Sequence, residues 1–437
     1  MKSVALHNLG CKVNAYEMDF VQQMLQEKGY KIVPFDEAAD IYIVNTCTVT
    51  NIADRKSRQM LHRAKKQNPS AVVVAVGCYV QTGTKSVEKD AAVDLAVGNN
   101  RKKHLVEILE DYLEKRQETF CDVIDIDHAA YEEMTLKRTA EHTRAYIKIQ
   151  DGCNQFCSYC IIPYARGRVR SRKEEDILRE VRGMAQAGYQ EIVLTGIHIS
   201  SYGADRGGSE LLPLLEKLSG IEGIRRIRLG SLEPGIVTEE FAGQISALPK
   251  VCPHFHLSLQ SGSDTVLRRM NRRYDTAAYF GAVGQLRRHY ANPAITTDVI
   301  VGFPGETEEE FRQTEAFLRR VGFYEMHIFK YSRRQGTRAA DMEGQLTEAQ
   351  KAARSECLME LEREMSRMYR QAYAGKMQEV LFEETMEREG KTYWTGHTPN
   401  YIKVAKEAGQ EENLRNRMIR CRTDSFLEED IMLASIY

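Results

Sequence analysis

Three cysteines in the middle of the chain constrain its chemistry more than any other stretch. Cys153, Cys157 and Cys160 lie in the run DGCNQFCSYC at the spacing C-x3-C-x2-C. Three thiolates at this spacing can hold three corners of a [4Fe-4S] cubane, and the fourth cysteine that such a cluster normally takes is missing. The sequence therefore predicts a cluster with one open iron, free to bind an exogenous group as catalytic zinc sites also do.

A zinc knuckle and a set of unrelated buried thiols are the alternatives to this cluster. A zinc knuckle needs four tetrahedral ligands, and no cysteine or histidine follows Cys160 closely enough to complete one. Unrelated thiols remain an alternative because free cysteines favour burial. The strand predicted before the motif and the basic run after it favour the cluster.

Composition limits where such a chain can work. Its 437 residues predict two or three domains with ample core. With 61 Lys+Arg against 62 Asp+Glu, no overall field attracts a polyanion; DNA is not an expected partner, and RNA contacts must use local patches. The amino terminus lacks the apolar stretch of a signal peptide, and the longest apolar run is too short for a membrane span. Ten cysteines in a chain expected in the cytoplasm indicate metal chemistry and not disulfides.

Three further cysteines occupy equivalent places in the first part of the chain. Alternating apolar patterns predict a parallel sheet with strands at residues 4–9, 31–33, 41–44, 71–76 and 95–97 and helices at 14–28, 54–67 and 101–115. Cys11, Cys47 and Cys78 each follow a predicted strand. Because the carboxyl ends of parallel strands share one edge, the three thiols should converge there. Simple burial of free cysteines is the alternative, but it does not require equivalent positions. Gly10 and Gly77, directly before two of the cysteines, allow sharp turns.

The central part of the chain alternates strands and helices six times. Predicted strands are residues 145–150, 191–194, 226–229, 254–259, 297–301 and 326–331. Predicted helices include residues 174–187, 277–289 and 308–321. Six such units predict a partial (βα)6 barrel whose functional residues lie at the carboxyl ends of the strands. Small or polar residues near those ends are candidates to contact a bound cofactor: Thr195, Gly196, Ser231, Glu233, Gln260 and Asp298. Each of them alone is equally consistent with a turn or a helix cap.

Arginines cluster beside the predicted mouth of this barrel. One group follows the cysteine motif and a second follows the last strand: Arg166, Arg168, Arg170 and Arg172, then Arg333 and Arg334. Guanidinium groups suit phosphate oxygens, so these residues are candidates for RNA contacts. A solvated loop, or a contact with a cofactor carboxylate, is the alternative.

A long helix over residues 348–373 leads to a small terminal module. About five short strands separated by turn residues predict a small antiparallel β-barrel. A basic face is predicted from arginines at nearly alternate positions, which are Arg415, Arg417, Arg420 and Arg422. Aromatic residues that could stack on bases are Tyr393, Trp394 and Tyr401. From Gln371 onward there are nine Lys/Arg and twelve Asp/Glu, so RNA binding would depend on that face and not on bulk charge. A protein-interaction barrel is the alternative.

Together these features resemble the radical S-adenosylmethionine superfamily and, within it, the methylthiotransferase family. The cysteine motif has the superfamily spacing, and Tyr159 matches the aromatic residue that lies near the cofactor's adenine. Successive strand-end runs resemble the superfamily's cofactor-site segments: LTGIHIS, RLGSLEP, HLSLQSGS, DVIVGFPGET and FKYSRRQGT. Cys11, Cys47 and Cys78 match, one by one, the ligands of the family's auxiliary cluster. The terminal module resembles the TRAM module, an RNA-binding β-barrel.

The resemblance implies a division of the chain and a set of cofactors. Expected domains are an auxiliary-cluster domain at residues 1–125, a radical S-adenosylmethionine domain at 139–369 and a TRAM-like domain at 372–437. Expected cofactors are two [4Fe-4S] clusters and S-adenosylmethionine, which is both the radical source and the methyl donor. The cluster on Cys153, Cys157 and Cys160 would cleave the cofactor to give a 5′-deoxyadenosyl radical, and the auxiliary cluster would supply sulfur. Implied partners are the anticodon stem-loop of tRNA and an electron donor such as flavodoxin or ferredoxin.

The run GCKVNAYE, residues 10–17, narrows the implied substrate. It resembles the branch that methylthiolates carbon 2 of N6-threonylcarbamoyladenosine at position 37 of tRNA. The isopentenyladenosine branch typically has GCQMN and the ribosomal-protein branch GCPKN. No physical link between Lys12 or Val13 and substrate choice is visible in the sequence. The alternatives are the same reaction on N6-isopentenyladenosine, methylthiolation of a ribosomal protein side chain, and a non-catalytic RNA-binding metalloprotein.

Overall fold

The computed structural model describes residues 2–115, 119–139, 143–409 and 412–436. Its first part is a sheet of six parallel strands in the order β2-β1-β3-β4-β5-β6, with apolar clusters on both faces. The elements are β1 (Ser3–Asn8), α1 (Lys12–Glu27), β2 (Lys31–Val33), β3 (Ile41–Thr46), α2 (Asn51–Gln67), β4 (Val72–Gly77), α3 (Cys78–Val87), β5 (Leu95–Val97), α4 (Leu105–Lys115) and β6 (Phe120–Asp122). The predicted parallel sheet is confirmed. Helix α3 was not predicted, because its run CYVQTGTKSV is rich in weak helix formers.

The central part forms the predicted partial barrel. Its elements are β7 (Ala145–Lys148), β8 (Gln150–Asp151), α5 (Ile162–Arg166), β9 (Arg170–Ser171), α6 (Glu174–Gln186), β10 (Glu191–Thr195), α7 (Leu211–Ser219), β11 (Arg226–Leu229), α8 (Glu239–Ser246), β12 (His254–His256), α9 (Asp264–Arg269), α10 (Thr276–His289), β13 (Ala294–Val301), α11 (Glu308–Val321), β14 (Glu325–Lys330) and α12 (Glu348–Gln371). Two parallel sheets, β7-β10-β11 and β12-β13-β14, are joined by the isolated bridge between Leu232 and Leu257. Six strands therefore follow one another in chain order.

Side chains alternate between the two faces of these strands. One set packs against the helices and includes Ile147, Ile192, Leu194, Ile227, Leu229, Phe255, Ile295, Val299 and Met326. The other set points into the partial barrel and includes Lys148, Thr195, Arg226, Arg228, His254, His256, Thr296, Asp298 and His327. We call the space that they line the lumen. Its wall is mostly polar, although Val193 and Ile300 also face it, whereas closed barrels of eight such units are filled with branched apolar side chains.

The terminal module is a closed five-stranded barrel. Its strands β15 (Met377–Arg388), β16 (Lys391–His397), β17 (Lys403–Glu407), β18 (Arg417–Glu428) and β19 (Ile431–Ser435) close in the order β15-β16-β17-β19-β18. The predicted small β-barrel is confirmed, and four of its five pairings are antiparallel while β17 and β19 run parallel. A closed ring with an odd number of strands cannot alternate direction throughout, so at least one neighbouring pair must be parallel.

This barrel packs against the amino-terminal ends of the central strands, opposite the cysteine motif. Arg226 donates to the Glu379 carbonyl at 2.7 Å, and Arg228 donates to the Pro399 carbonyl at 2.9 Å. We call this contact layer the floor of the lumen. Among the described residues, no helix is both long enough and apolar enough to cross a bilayer.

Gly396 offers a test of how the barrel is built. An added Cβ there would lie 2.1 Å from the Leu381 carbonyl oxygen on the neighbouring strand. We expect Gly396→Ala to destabilise the barrel by ~1–3 kcal/mol, because the backbone of the neighbouring strand would have to shift to make room for the methyl group. Trp394 is the chain's single tryptophan and lies in the same strand, so its fluorescence during thermal unfolding reports the loss. Gly281→Ala is the control, since a Cβ there has nothing within 4 Å; equal melting of both variants would contradict the expectation.

Candidate active site

Three thiols meet at the carboxyl edge of the first sheet. Strand pairing sets Thr46 beside Gly77, so Cys47 and Cys78 leave neighbouring strands at the same level. Gly10 has φ +106°, and a Cβ there would lie 3.2 Å from the Cys47 thiol. Cys11 therefore follows a turn that only glycine makes easily, next to the neighbouring cysteine. The structure brings the three residues together, as their positions after the strands predicted.

The second set of thiols lies on the loop after β8. The Cys153 amide donates to the Gly167 carbonyl at 3.0 Å, and the Cys160 amide donates to the Cys157 carbonyl at 2.9 Å. Gly152 has φ +72°, and a Cβ there would lie 1.8 Å from the Arg168 carbonyl oxygen. The loop is thus tightly wound against the chain that follows it.

The two sets of thiols are joined by α5. This helix begins two residues after Cys160 and packs against α3, which begins at Cys78. Arg166 at its last position reaches the Cys78 sulfur with Nε at 3.3 Å. The two sites therefore lie on either side of one short helix.

Each set of thiols has a buried guanidinium at a sulfur. Arg166 touches Cys78, and Arg272 Nη1 lies 3.1 Å from the Cys157 sulfur. Asn99 also donates to the Cys78 sulfur at 3.4 Å. Hydrogen bonds and positive charge at cluster sulfurs are the means by which proteins stabilise a reduced iron-sulfur cluster.

Charges buried around the first set are not balanced by the side chains alone. Glu17 and Asp151 are the carboxylates of an ion-pair network whose cations are Lys102, Lys148, Arg166 and Arg170. Burial would raise the pKa of Glu17, but the charges of Arg166, Lys102 and Lys148 hold it well below its usual range. A [4Fe-4S]²⁺ core on three thiolates is an anion. The excess of buried cations therefore fits such a cluster beside Cys78.

The thiols themselves fit metal ligation. Burial raises the pKa of Cys47 and Cys153 to about 11 and that of Cys160 to about 12. At neutral pH such thiols become thiolates only when a metal binds them. Cys11 keeps accessible surface although burial raises its pKa. Both observations hold if its thiol faces an enclosed space between the two parts of the chain.

The predicted cofactor residues lie at different depths. Glu233 accepts from Gln155 of the cysteine loop at 2.7 Å and lies 2.9 Å from His198 Nε2. Tyr159 packs beside Phe303 and Tyr331. Thr195 and Gln260 are buried, Ser231 is exposed, and a Cβ on Gly196 would meet Gln150 at 2.9 Å. Asp298 lies in the middle of β13 and not at its end. Because side chains alternate along the strand, it faces the lumen, where it forms a group with His256 and His327. Contact of these residues with a cofactor stays a prediction.

The predicted phosphate contacts need correction. Four of the arginines are buried in internal ion pairs and hydrogen bonds and have no surface to offer RNA: Arg166, Arg170, Arg172 and Arg334. Arg172 pairs with Glu180, and Arg334 pairs with Asp54 at 2.6 Å. The remaining predicted arginines are exposed: Arg168, Arg333, Arg415, Arg417 and Arg420. A run of arginines is available to solvent or to a ligand only when no carboxylate of the protein pairs with it. The sequence does not show which carboxylates lie nearby in the fold.

The aromatic residues proposed to stack on bases are also not available. Tyr393 and Trp394 are buried in the barrel. Tyr401 stacks between His254 and His397, with ring centroids 4.7 and 4.6 Å away, and so belongs to the floor. Strand alternation places Arg420 and Arg422 on one face of β18 and Arg417 on the other, so the single basic face is divided.

Several residues of the site had no signal in the sequence. Asn14, Glu17 and Lys12 lie in the run GCKVNAYE without an assigned role, and Arg272 lies far from any cysteine in sequence. Desolvation lowers the pKa of Lys12, and the charges of Tyr401, Arg144 and Arg228 also act on it. Yet its side chain keeps accessible surface. Lys12 is the first residue of α1 and directly follows Cys11, so the turn at Gly10 that places the first thiol also places this lysine.

Two family models and several known proteins match the chain. Residues 147–318 match the model of the Radical SAM superfamily, and residues 3–98 match that of the Uncharacterized protein family UPF0004. The chain is 42% identical over 407 residues to the threonylcarbamoyladenosine tRNA methylthiotransferase MtaB of Bacillus subtilis, with 92% of this chain and 90% of the relative covered. The protein of the same name from Aquifex aeolicus is 40% identical, with coverages of 93% and 97%.

One further relative carries a different substrate in its name, and one solved structure shares the fold. A tRNA-2-methylthio-N(6)-dimethylallyladenosine synthase from Thermoanaerobacter pseudethanolicus is 38% identical, covering 88% of this chain and 83% of the relative. The solved structure of the radical S-adenosylmethionine methyltransferase TsrM from Kitasatospora setae, with cobalamin and a [4Fe-4S] cluster bound, has a TM-score of 0.56 over 75% of each chain. At 16% identity this likeness concerns the fold alone.

Iron content tests the two sites separately. Two [4Fe-4S] clusters give about eight irons per chain, so replacing Cys11, Cys47 and Cys78 together by alanine should leave about four. Replacing Cys153, Cys157 and Cys160 should also leave about four. Iron and sulfide assays with electron paramagnetic resonance measure both. The matched control replaces Cys121, Cys252 and Cys357, none of which lies in either set, and should keep the full content; zinc in place of iron would contradict the assignment.

Arg166 should set the reduction potential of the cluster beside Cys78. The buried charge of Arg166 favours the reduced, more negative state of the cluster. Arg166→Met should therefore lower the midpoint potential, while Arg166→Lys keeps the positive charge and should leave the potential close to that of the wild type. Arg168→Met is the control, because that side chain is exposed two residues away. Potentiometric titration followed by electron paramagnetic resonance measures the shift. Unchanged potentials in an Arg166→Met protein with full iron content would contradict the role.

Proposed function

Because the chain belongs to the radical S-adenosylmethionine tRNA methylthiotransferase family, we propose that it replaces the C2 hydrogen of N6-threonylcarbamoyladenosine at position 37 of tRNA with a methylthio group. The observation that carries the proposal is the pair of three-thiol sites on either side of α5. Neither site has a fourth cysteine, so each would leave one iron free for an exogenous group.

The residues of the two sites have separate roles in this proposal. Cys153, Cys157 and Cys160 would hold one cluster, and Cys11, Cys47 and Cys78 the other. When bound, the clusters and S-adenosylmethionine supply the radical, the sulfur and the methyl group. Residues proposed to position S-adenosylmethionine are Tyr159, Thr195, Gly196, Ser231, Glu233, Gln260 and Asp298. Arg166 and Arg272 keep positive charge at the sulfurs, and the terminal barrel covers the opposite end of the lumen.

The lumen is proposed to receive the substituent on N6 of the adenine. Threonylcarbamoyl carries a carboxylate, a hydroxyl and a urea, whereas isopentenyl is a hydrocarbon. Strand positions facing the lumen include Arg228, His256 and Asp298 and also the apolar Val193 and Ile300. Arg228 is already paired with Glu191, and His256 Nε2 lies 3.5 Å from Asp298, so the choice of the threonylcarbamoyl group rests on the relatives named for that substrate.

The tRNA anticodon stem-loop is proposed to approach by a groove between the first and central parts. The groove has a volume of about 830 Å³ and is lined by residues that include Arg58, Tyr79, Ile161, Tyr164 and Arg333. Tyr79 and Ile161 directly follow Cys78 and Cys160. Tyr164 is 48% exposed and suits stacking on a base. Arg168 and the exposed arginines of β18 would serve as further phosphate contacts.

Three further features belong to the same proposal. The chain is divided at residues 1–125, 139–369 and 372–437 into auxiliary-cluster, radical and TRAM-like domains. The protein works in the cytoplasm. Electrons reach the cluster on the Cys153 loop from a donor such as flavodoxin or ferredoxin.

Activity on defined RNA tests the proposed function. The anaerobically reconstituted protein, with S-adenosylmethionine and a reductant, should methylthiolate an anticodon stem-loop carrying N6-threonylcarbamoyladenosine and leave one carrying N6-isopentenyladenosine unchanged. Nucleoside mass spectrometry measures both products. A protein with Cys153, Cys157 and Cys160 replaced by alanine is the inactive control. Modification of the isopentenyladenosine stem-loop alone would overturn the substrate assignment.

A further inference from the structure

Helix α2 carries a concentration of positive charge unlike the rest of the chain. The whole chain has 61 Lys+Arg and 62 Asp+Glu, whereas α2 (Asn51–Gln67) contains a single carboxylate, Asp54. Its lysines and arginines are Arg55, Lys56, Arg58, Arg63, Lys65 and Lys66. Such a local excess either pairs with carboxylates of the fold or attracts an anionic partner.

The helix turns much of this charge to solvent. Its inner face is formed by residues that are buried: Ser57, Leu61 and Ala64. At about 3.6 residues per turn, Arg55 and Lys66 lie on the opposite side of the helix, with Lys56 beside them, and all three are exposed. We call these three residues the basic face of α2. A helix of 17 residues is about 25 Å long, so the basic face extends over most of that length.

Carboxylates of the fold neutralise other cations of α2 and not this face. Arg63 pairs with Asp36 at 2.5 Å, and Lys65 pairs with Asp94 at 2.8 Å. Among the residues that the structure describes, no carboxylate lies within ion-pair distance of the three cations of the basic face. Their charge is therefore available to a partner.

Helix α2 begins at the groove proposed for the RNA. The Asn51 amide donates to Ser332 Oγ at 3.0 Å, and the Asn51 side chain donates to the Arg333 carbonyl at 3.0 Å. Asn51 and Arg58 line the groove together with Arg333, whereas the second half of α2 does not. The helix thus starts at the groove and leads away from it along the first part of the chain.

We infer that the basic face of α2 binds the phosphate backbone of the RNA stem next to the substrate loop, an inference that rests on the proposed function for its choice of RNA. A double-stranded stem presents its phosphates in a regular series. Lysine and arginine side chains along one helix can contact several of them without reading the bases. The loop enters the groove, and its stem lies along α2.

An acidic electron donor is the other kind of partner that a basic face could bind. Radical formation requires electrons at the cluster on the Cys153 loop. Helix α2 instead begins four residues after Cys47, on the side of the auxiliary site. Together with its start at the groove, this position favours RNA.

Binding of two RNAs tests the contact. One is an anticodon stem-loop and the other is its loop alone as a single strand, both with N6-threonylcarbamoyladenosine. Replacing the basic face by Arg55→Gln, Lys56→Gln and Lys66→Gln together should raise the Kd of the stem-loop on the order of tenfold or more at about 0.1 M salt. The Kd of the loop alone should stay nearly unchanged. If each cation contacts one phosphate, the slope of log Kd against log salt concentration should fall by about two to three.

Two further variants serve as controls. Arg55→Lys, Lys56→Arg and Lys66→Arg together keep the charges and should bind as the wild type does. The matched control removes exposed arginines from three helices of the central part, with Arg182→Gln, Arg288→Gln and Arg312→Gln. It should leave both Kd values unchanged, and full iron content in every variant shows that the fold is kept.

Several results would overturn the inference. These are an unchanged Kd for the stem-loop, equal losses of affinity for the stem-loop and the loop, and equal losses in the two glutamine variants. An unchanged Kd together with slower reduction by flavodoxin would assign the basic face to an acidic protein.

The affinity is measured without catalysis, so the inference and the proposed function can fail separately. If the wild-type protein binds the stem-loop through α2 and never methylthiolates it, the proposed function fails alone. If it methylthiolates the stem-loop and the glutamine variant of the basic face binds as tightly as the wild type, the inference fails alone.

Discussion

The buried carboxylate of Glu17 is the interaction on which the rest of the site depends. It extends from α1 of the first part and pairs with Arg166 at 2.5 Å and Lys148 at 2.7 Å in the central part, and with Lys102 of its own part at 2.6 Å. Removing one member of such a network typically costs about 3–5 kcal/mol, because the remaining charge is left buried. The network therefore holds the two sets of thiols in one relation. Any other packing of the two parts would leave several buried charges without partners.

Much of this arrangement follows from sequence because it depends on spacing along the chain. Cys11, Cys47 and Cys78 each end a strand of a parallel sheet, and strand order alone brings such ends together. The spacing of Cys153, Cys157 and Cys160 is visible within ten consecutive residues, so recognising the motif needs no long-range information. The central strands were predicted for the same reason, since their alternating pattern is local, and the odd-numbered barrel departed from prediction only where closure requires a parallel pair.

Residues whose role depends on contacts between distant parts were misread or missed. Arg172 belongs to a basic run in sequence, but Glu180 and the Tyr16 hydroxyl fold against it. Tyr401 is an aromatic residue in a predicted RNA-binding module, but it stacks on His254 of the central part. Arg272 reaches Cys157 across 115 residues of sequence. A single sequence gives the charge and shape of a side chain and leaves its partner undetermined.

The barrel at the floor has a consequence for the order of events in a catalytic cycle. Because it covers the amino-terminal ends of the strands, a ligand of the lumen would enter from the side where the thiols lie. An RNA loop bound there, as proposed, would block the exit for the fragments of a cleaved S-adenosylmethionine. When one turnover consumes more than one molecule of that cofactor, either the RNA must dissociate between them or the cofactor must be exchanged before the RNA binds. The fold therefore restricts the order of binding and release.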